Sequence, residues 1–521
     1  MRRLSTAGLL FSLSLPTSEV ALAGARSEPG DSRAGVPPVS APVDPAAEAA
    51  LSIIADNVRA LIDTGSLNGA ALEVERLLLR APETLRFRLL AIEVYYRLGR
   101  DEEVGRQAAA ALAIEPRALE PHRWLARLAR WRGELPAARA HLQNALRVQP
   151  GSASLLSDLG ALYAAGGEWR RAHRFFRKAV LAPADDPVRW LDAALSLSDA
   201  EERDSALRRL EEAFPQYAPG RAWAALCRSI PGQRLWDAAP WSSPVELPLT
   251  YEQRYFPIVE ARVGADLPIR LLIDTGSPGL KLSRQVADRL GLRSFGTLQV
   301  GGLGSGPVAK SDLVLLDSLR LGNLLVRHVP AGVLDSLPMA DGLLNPMALQ
   351  VQTARLEVSR RRLVLGDNDR LMPRGSSRLP FLNLDQHPIV RMILNGSPRL
   401  AMIDSGSGAT VLDETTVRQI PERRPMLLEG IEFGLSGVLG QVADAKPVHI
   451  ERLRLGGFEI ENPLLFEADL SRLGKHLGTQ VQLLFGADFL SRFDVTFDYR
   501  RLEMAIEPPA PRRKRALRSD S

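Results

Sequence analysis

Leu271-Leu272-Ile273-Asp274-Thr275-Gly276-Ser277 has a near copy, Ala401-Met402-Ile403-Asp404-Ser405-Gly406-Ser407, 130 residues further along the chain (404 − 274). Each stretch reads as an apolar strand that delivers an aspartate into a hydroxyl–glycine turn. A run of three or four apolar residues bounded by turn residues fits a strand buried on both faces. The glycine after Thr275 or Ser405 allows a tight turn and leaves room for a neighbouring backbone. The Thr275 and Ser405 hydroxyls are placed to bond across a junction between the two turns, and Ser277 and Ser407 to bond the outer carboxylate oxygens. Two carboxylates held in contact cannot both ionise, so one becomes a base while its neighbour keeps a proton.

The likeness extends well past the aspartates. Pro257-Ile258-Val259 matches Pro388-Ile389-Val390, with the aspartate 17 and 16 residues later. Leu319-Arg320-Leu321-Gly322 matches Leu453-Arg454-Leu455-Gly456, and Asp341-Gly342-Leu343-Leu344-Asn345 matches Gln482-Leu483-Leu484-Phe485-Gly486. Helices are expected over 283–290 and 413–420, stopped by Gly291 and Pro421, and each copy closes with an arginine-rich hairpin near 358–365 and 497–505. The region is therefore two homologous β lobes, 249–370 and 381–507, joined by a linker over 371–380.

The N-terminal half has a different texture. Pro82, Pro116, Pro150 and Pro183 are spaced by 34, 34 and 33 residues, and Gly65, Gly99, Gly133 and Gly167 by 34 throughout. Ala70, Val104, Ala138 and Ala172 keep the same step, as do Ala111, Ala145 and Ala179. Between these marks the sequence has helical amphipathic periodicity, as at 85–98 and 155–163. Three residue sets in one register resemble the tetratricopeptide repeat family, with Trp124-Leu125 and Leu159-Gly160-Ala161-Leu162-Tyr163 near its aromatic and small positions. Roughly five repeats cover 48–217, followed by a connector over 218–248. Stacked helix pairs of this kind offer a surface for a peptide or protein partner. A second Asp-Thr-Gly, at Asp63-Thr64-Gly65, falls in the repeat register and reads as a helix terminus, not a catalytic turn.

Residues 250–507 resemble two retropepsin-like lobes of the pepsin/retropepsin superfamily of aspartic proteases, fused in one chain. The fold expected is thus multidomain: an all-α helical-repeat solenoid followed by an all-β two-lobed retropepsin-like aspartic protease fold. The resemblance makes Asp274 and Asp404 the catalytic pair and places glycine-rich flaps near Gly302, Gly304 and Gly306 in lobe 1 and near Gly434 and Gly437 in lobe 2. It implies an endopeptidase that needs no cofactor and no metal, acts on a peptide or protein substrate, and works as a monomer. One departure stands out: Asn345 occupies the position of Gly486, where the family has glycine. Asparagine accepts positive φ better than most residues, so the fold is expected to tolerate it. With the unequal turns, Thr275 against Ser405, it supports a competing reading as a non-catalytic peptide-holding scaffold with degenerate lobes.

Composition bounds the remaining possibilities. A formal charge of +5 over 521 residues gives no reason to expect nucleic acid, and much of it lies in the basic tail over 508–521. The single cysteine, Cys227, rules out an intramolecular disulfide. The seven histidines are scattered without metal-ligand spacing and read as surface or capping residues. Arg2 and Arg3 before an apolar run, with Ala21-Leu22-Ala23 behind it, suggest a signal peptide over 1–23, then a linker over 24–47, and hence export to a bacterial periplasm. No later segment approaches a membrane span.

Overall fold

A computed structural model describes residues 45–509, apart from residues 65, 239–242, 301–308, 338, 367–368, 374–375, 377, 421–423, 426–432 and 438–439. The expected signal peptide, most of the linker and the basic cluster Arg512 to Arg515 lie outside the described residues. No described helix is long and apolar enough to cross a membrane.

The described residues divide into two compact units, one ending at Pro150 and one beginning at Gly151. Among the described residues the first unit holds six helices, in three hairpins: Pro45–Asp63 with Leu67–Arg80, Leu85–Arg97 with Asp101–Ile114, and Leu119–Trp131 with Leu135–Val148. The 34-residue register has a direct physical basis. Gly99 and Gly133 take φ of +70° just past a helix end, where only glycine is free of strain. Ala70, Val104, Ala138, Ala111 and Ala145 are all fully buried, so the small positions are where helices cross. Asp63 sits exposed in the last turn of its helix.

The second unit opens with five more helices, Ala153–Ala165, Trp169–Leu181, Pro187–Leu195, Ala200–Ala213 and Ala218–Ser229. Gly160 lies so close under the Phe176 ring that a Cβ there would stand 2.8 Å from it. These helices dock on the β lobes. The Trp169 Nε1–H donates to Arg500 O at 3.2 Å, the Gly167 turn packs on Leu502, and Ala222 fills the space a side chain would need at Gly296. Residues 218–248, expected as a connector, therefore carry a docked helix and the strand Val245–Pro248.

The lobes repeat the same strand pairing around their aspartates. In lobe 1 the strand Leu267–Ile273 lies between the antiparallel Phe256–Val263 and the parallel Gly342–Leu344. In lobe 2 Ser397–Ile403 lies between the antiparallel His387–Leu394 and the parallel Leu483–Phe485. Asp341 N–H donates to Arg270 O and Gln482 N–H to Leu400 O, while each side chain accepts from the same backbone partner's N–H, at 2.8 and 3.0 Å. Helices follow at Arg284–Arg289 and Glu414–Arg418, capped by Ser283 and Asp413. The closing hairpins do not stay with their own lobes. Thr353–Glu357 of the first pairs with Asp494–Asp498 of the second, so one antiparallel sheet underlies both.

Candidate active site

Strand pairing carries each aspartate to the junction between lobes. Asp274 N–H donates to Leu344 O and Asp404 N–H to Phe485 O, both at 2.9 Å, which pins the two strand ends at the same height. Four further bonds lock the turns together. Thr275 N–H donates to Ser405 Oγ (3.1 Å) and Ser405 N–H to Thr275 Oγ1 (3.0 Å). The Thr275 hydroxyl then donates to Ile403 O (2.9 Å) and the Ser405 hydroxyl to Ile273 O (2.7 Å). Thr275 and Ser405 are both buried, so each bond also removes a desolvation penalty that an unpaired group would carry.

Gly276 and Gly406 are required by closeness, not by backbone angle. A Cβ on Gly276 would overlap the Asp404 carboxyl, and one on Gly406 the Asp274 carboxyl. The two carboxyls stand within hydrogen-bonding reach of each other. Gly276 N–H donates to Asp274 Oδ1 at 2.9 Å, while Asp404 Oδ1 accepts from both Gly406 N–H (2.9 Å) and Ser407 N–H (3.1 Å). Burial pushes the Asp274 carboxyl well above the ordinary carboxylate range, and the neighbouring Asp404 charge adds to it. Asp404 is also raised, chiefly by burial, but its two backbone donors and the nearby His387 oppose the rise.

Two expectations about the surrounding residues need correction. The Ser407 hydroxyl donates to Ala409 O at 3.1 Å, so that residue reaches the carboxylate through its backbone N–H. Ser277 is half-buried and makes no bond to Asp274 among the described residues. Asn345 is tolerated, but not through positive φ: its backbone is extended, at φ −82°. Gly486 is not left-handed either, at φ −87°; it is glycine because a Cβ would overlap the Ala409 backbone. In lobe 1 the residue at the Ala409 position is Gly279, at φ +72°, whose carbonyl accepts from Asn345 N–H at 2.9 Å. The Asn345 side chain is fully bonded: Nδ2 donates to Gln386 O (3.1 Å) and Thr275 O (3.4 Å), and Oδ1 accepts from Met347 N–H (3.0 Å). It clamps the dyad loop.

Gly302, Gly304 and Gly306, expected to form a flap in lobe 1, lie outside the described residues, between strands Gly296–Val300 and Ala309–Leu321 that pair as a hairpin. In lobe 2, Gly434 and Gly437 fall in the strand Phe433–Gly437, which pairs with Gly440–His449.

Sequence reasoning misses the polar residues beside the dyad. The two-residue turn Asp385-Gln386, with φ of +52° and +63°, carries lobe 2 across to lobe 1. There Gln386 Oε1 accepts from Gly279 N–H at 3.1 Å, and His387 stands 3.1 Å from Gly276 O. Lys281 is buried, donates to Pro278 O at 3.1 Å, and has its amine pushed down to about 8, by burial first, with Asp385 and Asp274 opposing the shift. A lysine inside a fully buried strand, Leu280–Ser283, is the signal that could have found it. Among the described residues no group of three or more His, Cys, Asp or Glu is poised to hold a metal ion.

A small pocket is lined by Tyr251, Tyr255, Leu490 and Phe497 and also by Thr275 and Ser405, but by neither aspartate.

Residues 259–345 and 390–489 match the family model described as aspartyl protease, one segment in each lobe. Solved structures similar to the helical region include the MamA protein and a thermophilic TPR protein from Thermus thermophilus. The first is 19% identical with a TM-score of 0.26, covering 32% of this chain and 94% of that one. The second is 22% identical with a TM-score of 0.29, covering 34% of this chain and 100% of that one. No curated protein matches the chain.

Proposed function

We propose that this chain, in which an aspartyl protease domain follows a tetratricopeptide-type helical array, is a working aspartic endopeptidase with its whole dyad in one polypeptide. The observation that carries this reading is the pair of buried carboxyls in contact, each facing a glycine that no other residue could replace. Burying two carboxyls is costly even when they share a proton, and a non-catalytic cleft gains nothing in return for that cost.

The chemistry follows from the shared proton. The ionised carboxylate of the pair takes a proton from a water held between Asp274 and Asp404, and the water attacks the scissile carbonyl carbon. The protonated partner donates to the carbonyl oxygen, and the nitrogen of the leaving amine is protonated as the tetrahedral species collapses. No covalent intermediate forms. The substrate is a peptide or an unstructured protein segment, and the helical repeats recruit it or a protein partner.

The test is cleavage of an unfolded protein from acidic to neutral pH by wild type, Asp274→Asn and Asp404→Asn. Each isosteric change should lower turnover by roughly 10²–10⁴-fold or more while leaving the melting transition in place. Undiminished cleavage by either variant would refute the assignment.

A further inference from the structure

His387 is buried at the first position of the strand His387–Leu394, and both of its ring nitrogens face backbone carbonyls. Nδ1 lies 3.1 Å from Leu384 O and Nε2 lies 3.1 Å from Gly276 O. A carbonyl oxygen only accepts, and a neutral imidazole has one donor and one acceptor nitrogen. Both contacts are hydrogen bonds only when the ring carries two protons. A ring in that state is a cation, contributed by lobe 2 and bonded to the loop of lobe 1 at the residue next but one to Asp274.

We infer that His387 is a positioning residue whose imidazolium places the single negative charge of the dyad on Asp404 and leaves the proton on Asp274. The inference rests on the peptidase reading for its kinetic consequence but not for the charge placement itself. The backbone favours the same side: Asp404 accepts two N–H bonds on one oxygen where Asp274 accepts one. Both carboxyls are raised, chiefly by burial, so the pair holds on to one proton. Other ionisable groups face the ring or its turn. Asp404 approaches from the end of strand Ser397–Ile403, His476 from the helix Ser471–Leu477, and Asp385 from the turn itself; Lys281 from strand Leu280–Ser283 faces Asp385 and Asp274. The buried Lys281 opposes the arrangement, since it favours charge on Asp274. Lys281 carries a desolvation penalty of its own, and the inference requires the two-donor cradle of Asp404 and the imidazolium together to outweigh it.

A cation at this distance eases both deprotonations of the dyad. Its removal makes each harder, so the bell-shaped pH dependence of kcat/KM should move to higher pH on both limbs in His387→Gln, by about one pH unit. His387→Lys keeps the charge and should hold the bell at its wild-type position. A purely structural role would lower the rate at every pH without moving either limb, and an unmoved bell in His387→Gln would overturn the proposal. A readout independent of turnover is carboxyl ¹³C titration of aspartate-labelled protein, with Asp274→Asn and Asp404→Asn assigning the resonances. An ionised resonance on Asp404 in the singly protonated wild type supports the inference; one on Asp274 refutes it, even should His387→Gln fail to fold. If no peptide is cleaved but the charge sits on Asp404, the peptidase reading fails and the charge placement stands.

Discussion

Where lobe 1 carries Phe256, lobe 2 carries His387: each residue opens a strand, precedes a proline, and reaches across the pseudo-twofold axis. Phe256 shares an apolar cluster with Leu272, Leu334, Leu343 and Ala487, the last contributed by the opposite lobe, and Leu337 and Met339 pack against it. His387 instead meets Gly276 O, with Gln386 beside it in the turn and Asn345 bonded to the Gln386 carbonyl. Backbone pairing around the two crossings is matched down to single hydrogen bonds, so the scaffold is a duplication that has been kept. What has diverged is the chemistry at the crossings. One is held by apolar packing, which is indifferent to pH; the other is held by hydrogen bonds and charge, which are not. A symmetric pair of carboxyls would have no preferred home for its proton, and unequal crossings supply one.

This contrast is tested most severely at the glycines the two lobes share. Gly276→Ala and Gly406→Ala each drive a methyl group into the opposite carboxyl, so both should lose peptide cleavage by roughly 10²-fold or more. Retention of activity by one but not the other would show that the two sides of the dyad are not equally constrained.

A smaller effect separates Gly486 from Asn345. Gly486→Ala pushes a methyl into the Ala409 backbone, which cannot rotate away, and should cost about 2–3 kcal/mol in denaturant unfolding. Asn345→Ala strips two donations and one acceptance from buried backbone partners and should cost about 1–3 kcal/mol, with activity falling because the Gln386 turn is released. An Asn345→Ala protein as stable and active as wild type would mean the clamp is incidental.

The smallest effect belongs to the Asp-Thr-Gly of the helical region. Asp63→Asn alters an exposed helix end and should change stability by less than about 0.5 kcal/mol and cleavage not at all. Any measurable loss of turnover would undermine the contrast between that tripeptide and the aspartate turns of the lobes.

Much of this architecture is legible in one dimension. The 34-residue step and the two aspartate stretches each follow from local geometry, because a strand, a tight turn or a helix crossing restricts residue types at fixed spacing, and comparison of the two copies picks out the hydroxyls of Thr275 and Ser405. The turn glycines are legible too, although they are fixed by the opposite carboxyl and not by a turn angle. Asn345 misleads for the same reason: its role depends on Gln386, 41 residues away, not on its own backbone. His387 reads as one of seven scattered histidines, since nothing in the neighbouring residues distinguishes it from a surface side chain.

The order of residues along the chain is enough to establish the duplication, the helical period and the identity of the two acidic groups. Each is set by interactions within a few residues or by direct comparison of the copies. Which polar groups surround those acids emerges only when the chain is folded. Bonds such as Asn345 Nδ2–H to Gln386 O and Gly279 N–H to Gln386 Oε1 join residues 41 and 107 positions apart. Contacts of that kind arise when one lobe packs on the other, and no spacing along the chain encodes them.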